Sequence, residues 1–273
     1  MNRRGTSLIE ALVALTLTIV VALLAWSILR SAAFRLRDRS ERLGMEHSLR
    51  AASAASRALL EPLGSDSTAG PDLALPAPNG FVARAVRGSG VLCAAKADSL
   101  WVRAGMHWWL ELRAPVAGRD SLMIGTVSGP DHWAVTALDA APAAASCPDG
   151  TPALVLPARV PGIDLPAIGA GSPLRVVEPI ELLAYASGGA QWLGLRGVSS
   201  GGSIQPLAGP FSGVGLAFSY FSRPGTATTL AAAIVQAELV ITGLTERASG
   251  VGMARAQIQH DSLSAAVLLR NAP

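Results

Sequence analysis

The longest apolar run of the chain covers residues 8–29, LIEALVALTLTIVVALLAWSIL. Glu10 is its only charged residue, and three hydroxyl side chains and the Trp26 indole are its other polar groups. A helix of this length, at about 1.5 Å per residue, spans roughly 33 Å, which is enough to cross the hydrocarbon core of a bilayer. The pattern therefore predicts a transmembrane helix, to which we assign residues 6–29.

The next segment, residues 30–61, continues in a helical pattern. Residues 31–61 contain no proline and one glycine, Gly44, and Pro62, which cannot continue a helix, predicts the end of the segment. Apolar residues at loosely helical spacing predict a stripe that packs on the rest of the chain: Leu36, Leu43, Leu49, Ala52, Leu59 and Leu60. We expect an amphipathic continuation of the membrane helix, with its charged face in solvent.

Short β-rich runs separated by Gly, Asp or Pro fill residues 62–273. The clearest is a hairpin whose strands, 174–185 and 191–195, are joined by Gly188-Gly189, since glycine tolerates positive φ. Further strands are predicted at residues 81–87, 99–103, 107–113, 121–127, 133–137, 215–221, 235–242 and 254–269. Pro and Gly are so dense over 138–173 that we expect an irregular excursion there. The predicted fold class is α+β, with one long helix packed on a mainly antiparallel β domain.

Two ordinary kinds of N-terminal segment could contain this apolar run. A secretory signal peptide has an apolar stretch of about 7–15 residues and then a small-residue cleavage site, which residues 31–33 could supply. A plain signal anchor requires only hydropathy. Neither explains Glu10, because an ionised carboxylate in hydrocarbon costs a few kcal/mol at least. Glu10 is therefore a functional candidate, unless it lies near the interface and reaches water.

Residues 5–10, GTSLIE, follow a short basic leader and open the apolar run. They closely resemble the class III signal of type IV pilins and pseudopilins. The resemblance implies that prepilin peptidase removes residues 1–5 by cutting between Gly5 and Thr6, and that the new amine of Thr6 is methylated. It also implies that Glu10 pairs with a neighbouring subunit's terminal amine and sets the axial register. Such a pair offsets the desolvation of both charges only in the right register.

One residue departs from the pattern, since the family usually starts its mature chain with Phe, whereas Thr6 stands here. The resemblance implies a pilin-like fold and a single pass through the inner membrane, with a periplasmic C-terminal domain. It then implies withdrawal from the lipid bilayer into the tip of a pilus or pseudopilus. The implied partners are other major and minor pilins or pseudopilins, prepilin peptidase and the inner-membrane assembly platform.

The C-terminal part of the chain resembles a narrower group. Residues 180–185, 192–196, 203–207, 213–220 and 267–271 follow one another in the order seen in PilW-type minor pilins. The J-type pseudopilins of type II secretion share much of this order. We therefore expect a minor pilin that assembles into or primes the tip of a type IV pilus, with a J-type pseudopilin as the alternative.

Composition limits the partners. Half of the 273 residues are hydrophobic and 15% are charged, so the chain is too apolar to be disordered. The basic residues number 22 and the acidic residues 19, and two of the basic ones, Arg3 and Arg4, fall in the implied leader. The balance that remains does not favour a nucleic-acid partner.

The charges that flank the apolar run oppose the implied orientation. By the positive-inside rule, the side with more basic residues should be cytoplasmic, and four arginines follow the run: Arg30, Arg35, Arg37 and Arg39.

Cys93 and Cys147 are the only cysteines of the chain. Their spacing is far too long for a CxxC redox or zinc motif. In an exported domain an even pair predicts a disulfide, and one that closes a loop this long stabilises by roughly 4 kcal/mol in the chain-entropy model. The alternative is two free, buried thiols.

Some residues could support an enzyme or a binding domain. Residues 197–201, GVSSG, match the G-x-S-x-G nucleophile elbow, with Ser199 as nucleophile and His260 as base. The elbow requires a helix after the serine, whereas GSIQP follows, so we expect a flexible loop. A signal-anchored periplasmic hydrolase or binding domain is the alternative from another class.

Aromatic and acidic residues are further candidates for ligand binding. The tryptophans that could form a sugar-binding platform are Trp101, Trp108, Trp109 and Trp133. Because adjacent strand residues face opposite sides, at least one of Trp108 and Trp109 should lie in the core. The loop carboxylates Asp66, Asp72 and Asp149 have no Asp-x-Asp spacing. We therefore expect no metal, no cofactor and no catalytic activity.

Overall fold

A computed structural model describes residues 8–66, 68–105, 108–127, 132–160, 167–245, 258 and 260–270. The chain forms one long helix, α1 (Leu8–Leu60), followed by a mostly antiparallel β domain. The predicted α+β class is confirmed. The helix ends two residues before Pro62.

The described residues form fifteen strands. They are β1 (Ser65–Asp66), β2 (Gly70–Pro71), β3 (Leu73–Ala77), β4 (Gly80–Lys96), β5 (Ser99–Arg103), β6 (Trp109–Glu111), β7 (Ser121–Gly125), β8 (Trp133–Ala137), β9 (Ala143–Ser146), β10 (Pro152–Pro157), β11 (Pro173–Ser187), β12 (Ala190–Gly197), β13 (Gln205–Phe221), β14 (Gln236–Leu244) and β15 (His260–Leu268). β1 pairs with β2, and the other thirteen strands form one sheet with the main order β15-β14-β13-β12-β11-β4-β5-β10-β9. β3 and β6 also pair with β4, and β7 connects β11 to β8.

The sheet encloses two hydrophobic clusters. The first lies between the second half of α1 and the strands β3, β4 and β11–β15, and it includes Phe81 and Leu182. The second is built from β4, β5, β7, β8, β10 and β11, and it includes Leu92 and Leu174. β4 and β11 contribute to both clusters because each is long enough to pass from one to the other. These two strands therefore join the helix-packed part of the domain to the rest.

Several strands lie where the sequence predicts them. Residues 99–103 and 133–137 are strands with the predicted bounds, and β11 and β12 form the predicted hairpin. Gly188 and Gly189 make its turn, with φ of 61° and 80°. A residue with a side chain would be strained at either position, and for this reason the Gly-Gly pair in the sequence predicts the turn. The start of the last predicted strand, residues 254–257, lies outside the described residues.

The expectation of an irregular excursion over 138–173 was wrong in part. β9 and β10 lie within it, and β10 pairs with both β5 and β9. The prolines that suggested an irregular chain, Pro152 and Pro157, occupy the two ends of β10, where a missing backbone N–H is tolerated. Ala-rich β9 has no amphipathic pattern, because it is an edge strand with mostly exposed residues.

Candidate functional site

The first half of α1 is an exposed apolar rod. Every residue from Leu8 to Arg37 is exposed, and none of the most apolar window is covered by the domain. This helix is long and apolar enough to span a membrane once. The hydroxyls of Thr16, Thr18 and Ser27 donate to carbonyl oxygens one turn earlier at 2.8–2.9 Å, so their polar atoms are satisfied within the helix.

Glu10 lies in the first turn of the described helix and is exposed. Leu8, Ile9 and Leu12 surround it along the chain and are exposed large apolar side chains. Glu10 is thus the single carboxylate of the apolar run, residues 8–29, and lies close to its start. Gly5 and Thr6, the residues of the implied cleavage and methylation, lie outside the described residues.

The second half of α1 is fixed to the domain by a stripe of buried side chains. They are Met45, Leu49, Ala52, Ser56 and Leu60, whose spacing of three and four residues places them on one helix face. The helix approaches β14 closely at Gly243, where an added Cβ would lie 2.8 Å from Met45 Cγ. Ser48 Oγ donates to the Gly209 carbonyl at 2.8 Å. These contacts hold the helix against β13, β14 and β15.

The end of the helix is also tied to the end of the described chain. Arg270 donates from its backbone N–H to the Glu61 carbonyl at 2.9 Å, and its guanidinium binds the Glu61 carboxylate at 2.9 Å. The guanidinium of Arg57 lies 3.8 Å from the same carboxylate. The direction in which α1 leaves the domain is thus set at both ends of the buried stripe.

Two residues of the predicted stripe, Leu36 and Leu43, do not lie on the buried face of the helix. Leu36 and Leu43 are 67% and 65% exposed, whereas Leu49, Ala52 and Leu60 are buried as predicted. At about 100° per residue, Leu36 and Leu43 lie on the side of the helix opposite the buried stripe. The apolar surface of the rod therefore continues past residue 29 on its outward side. The prediction was wrong for these two residues because it placed all the leucines of residues 30–61 on one helix face.

Cys93 and Cys147 form a disulfide with a Cα–Cα distance of 5.8 Å, as predicted. It links β4 to the segment just after β9. Trp101 packs beside the disulfide. The ammonium of Lys96 lies over the Trp101 ring, 4.8 Å from the ring centroid. Trp101 therefore belongs to this small cluster and does not join the other tryptophans in a platform.

Trp108, Trp109 and Trp133 line one groove of the domain, together with Arg175. Trp109 is half-buried and packs against the second hydrophobic cluster, whereas Trp108 is 51% exposed, so the two adjacent tryptophans do face different surroundings. The guanidinium of Arg175 lies 4.6 Å from the centroid of the Trp133 ring. This cation already occupies one face of the ring that would otherwise serve a sugar.

Glu178 of β11 is a buried carboxylate that the sequence reasoning missed. Arg87 Nε and Arg113 Nη2 donate to one of its oxygens at 2.7 and 3.1 Å, and Arg119 Nε donates to the other at 2.5 Å. Arg113 also forms two bonds to the buried carboxylate of Asp120. Burial alone would raise the pKa of Glu178, but the three arginines outweigh it and lower the pKa below its ordinary value of 4.5. The cluster is explained by charge compensation inside the domain.

The G-x-S-x-G segment does not have the surroundings of a nucleophile elbow. Ser199 is exposed in the turn after β12, and the next element is β13. Ser200 donates to the Gly197 carbonyl at 3.3 Å, which closes the turn locally. A strand-turn-strand arrangement lacks the helix that raises the serine above a sheet in that motif.

The loop carboxylates are engaged in hydrogen bonds with nearby protein groups. Asp66 accepts two backbone N–H bonds at 2.8 Å, and Asp72 accepts one from Gly64 at 3.0 Å. Bonds from Thr151 and Arg103 lower the pKa of Asp149 to about 2. Over the described ranges, no three His, Cys, Asp or Glu side chains converge in a way that could hold a metal ion.

No protein-family model, no curated protein and no solved structure matches the chain. What the protein does must therefore follow from its own residues.

Proposed function

We propose that the chain is a minor pilin that assembles through α1 into the tip of a type IV pilus. The observation that carries this proposal is an exposed apolar helix with one carboxylate, Glu10, near its start. In the proposed sequence of events the precursor spans the inner membrane with its β domain in the periplasm. Prepilin peptidase removes residues 1–5, and α1 then moves from lipid into a bundle of similar helices.

The outward apolar surface of α1 supports this role. Leu43 is exposed on the side of α1 that faces away from the domain, about 21 Å beyond Leu29 and so beyond the length that a bilayer would cover. In a bundle this surface would be covered by neighbouring helices, whereas a plain membrane anchor gives it no partner. In the same assembly, as the class III resemblance implies, Glu10 would pair with the terminal amine of a neighbouring subunit. The proposed role is non-catalytic, and the strand that follows Ser199 supports that part of the proposal.

A substitution at Glu10 tests the proposal. In cells that assemble pili, Glu10→Gln should leave leader removal intact, because the cleavage residues are unchanged, and should abolish incorporation into sheared filaments. Glu46→Gln is the matched control, since Glu46 lies on the same helix in an exposed pair with Arg50. Normal incorporation of the Glu10→Gln chain contradicts the proposal. So does a mature chain that mass spectrometry finds still beginning at Met1.

A further inference from the structure

The charges of α1 are distributed unevenly beyond its apolar run. Residues 30–39 contain four arginines and one aspartate, whereas residues 41–61 contain three arginines and three glutamates. The excess positive charge is therefore confined to the first ten residues after the run. We call these four residues the arginine collar: Arg30, Arg35, Arg37 and Arg39.

Ion pairing separates the collar from the arginines that follow. Arg42, Arg50 and Arg57 each pair with an acidic residue four positions away, at 3.2–3.8 Å. Within the described part of the chain, no ion pair involves any of the four collar arginines. All four are exposed. The sequence thus balances the positive charges near the domain and leaves those near the apolar run unbalanced.

The collar begins where a bilayer core would end. Arg30 directly follows Leu29, and Arg39 lies about 15 Å farther along the helix axis. The polar interface of a bilayer is about 5–8 Å thick on each side. Arg30 and Arg35 would therefore lie among the headgroups, and the rest within reach of the surface potential, which decays over about 8 Å.

The side chains between the arginines suit the same zone. Phe34 is 49% exposed, and the Arg30 guanidinium lies 5.6 Å from its ring centroid. Leu36 is exposed as well. Apolar and aromatic side chains among arginines match a membrane interface, where one end of a side chain meets hydrocarbon and the other meets headgroups. A phosphate backbone in water, as in DNA, gives Phe34 and Leu36 nothing to contact.

We propose that the arginine collar binds the headgroups of anionic phospholipids in the leaflet that faces the β domain. On the cytoplasmic side of membrane helices, clusters of about four to eight basic residues are typical of anionic-lipid recognition, and we apply the same charge argument to the opposite leaflet. The inference rests on the membrane-spanning part of the proposed function and does not depend on pilus assembly. It also gives a reason for arginines on the side of the membrane where the positive-inside rule would not place them.

The test uses the full-length chain in vesicles of phosphatidylcholine and phosphatidylglycerol. Trp26 lies one turn before the collar, so lipids brominated in their acyl chains should quench its fluorescence. With equal amounts of the two lipids, brominated phosphatidylglycerol should bind beside Trp26 in preference to brominated phosphatidylcholine. We expect a preference of roughly fivefold for each engaged arginine at low salt, falling as salt rises.

Two variants separate the collar from general charge. Replacing all four collar arginines by Gln should remove the preference, whereas R42Q/R50Q/R57Q, on the same helix, should keep it. In vesicles of brominated phosphatidylcholine alone, quenching should be the same for the native chain and both variants, which shows that the helix is still inserted. Inorganic phosphate at equal ionic strength should compete no better than chloride, since the ligand is a headgroup held at the surface.

The outcomes are distinguishable. Equal quenching by the two lipids in the native chain overturns the inference while leaving membrane insertion intact. Quenching by neither lipid overturns the membrane part of the proposed function and the inference with it. Binding of duplex DNA that is lost in the collar variant, together with no lipid preference, assigns the collar to nucleic acid and also overturns the inference.

Discussion

Glu178 shows how one residue can decide the stability of the domain. It lies on β11 between Leu174 of one hydrophobic cluster and Leu182 of the other, and it is fully buried. No local pattern marks it, because its partners are far apart in the sequence and come together only through the sheet. Such a cluster becomes visible once strand order and register are known.

Replacing Glu178 by Gln should lower the free energy of unfolding by about 2–3 kcal/mol, because the half-buried Arg87, Arg113 and Arg119 would lose the carboxylate that compensates them. Glu181→Gln is the control, since Glu181 pairs with Arg196 in a more exposed place and should cost about 0–1 kcal/mol. Urea unfolding of the two variants in detergent measures both. Similar losses for the two variants would contradict this account.

The Glu178 carboxylate also predicts that the folded domain loses stability at low pH. Its pKa is lowered in the folded chain, so its stabilising effect is present above its ordinary pKa of 4.5. The effect is lost as the pH falls through the folded pKa. The native chain should therefore lose stability below about pH 4.5 more steeply than Glu178→Gln. Unfolding midpoints measured from pH 3 to pH 7 test this, and parallel curves would refute it.

Gly243 is the second residue with a large predicted effect. An added Cβ would lie 2.8 Å from Met45 Cγ and 3.2 Å from Leu49 Cγ, so Gly243→Ala should force the helix away from β14. We expect a loss of about 1–3 kcal/mol in unfolding free energy. Gly213→Ala, with no atom within 4 Å of the new Cβ, should be nearly neutral. In a double-mutant cycle, Met45→Ala should offset part of the Gly243→Ala cost.

At the scale of elements, the sequence predicts those whose signal is local. The hairpin of β11 and β12 follows from its Gly-Gly turn, and the long helix follows from a run without strong helix breakers. β9 and β10 could not be found in this way, because β10 pairs with β5, which is remote in the sequence, and β9 is a strand through its pairing with β10. The orientation of Leu36 and Leu43 failed for a related reason. A leucine on a helix shows which face is buried only when it is known which other element packs on that helix.

The disulfide acts at this scale, because it ties β4 to the chain that leaves the edge strand β9. Reduction, or the variant C93A/C147A, should lower the unfolding free energy by about 4 kcal/mol in the chain-entropy model. Thermal unfolding with and without dithiothreitol measures the loss. The reductant should have no effect on the double variant. An unchanged transition in the reduced native chain would show that the loop is held by packing alone.

Considered as a whole, the molecule is a domain with a rod attached to one side. Every helix residue from Leu8 to Arg37 is exposed, so about 45 Å of helix extends beyond the sheet. The sequence predicts the rod and the domain separately from hydropathy and from strand patterns. It cannot predict where the helix docks, since docking depends on β13, β14 and β15 being neighbours.

A truncated chain should separate the two parts. A chain that starts at Arg39 retains the whole buried stripe, so it should unfold at the same urea concentration as the full-length protein. It should also lose all binding to vesicles, because the apolar run is gone. A chain that starts at Ala51 is the comparison and should be much less stable, since it lacks Met45 and Leu49. Equal stability of the two truncations would contradict the assigned docking site.

The length of the docked segment has a mechanical consequence. Met45 to Leu60 lie side by side against three strands over about 22 Å, and the last turn is tied to Arg270. A pull along the axis of the rod must shear these contacts together, whereas a sideways force would peel them apart turn by turn. The joint is therefore strongest in the direction in which the free end of the rod would transmit tension.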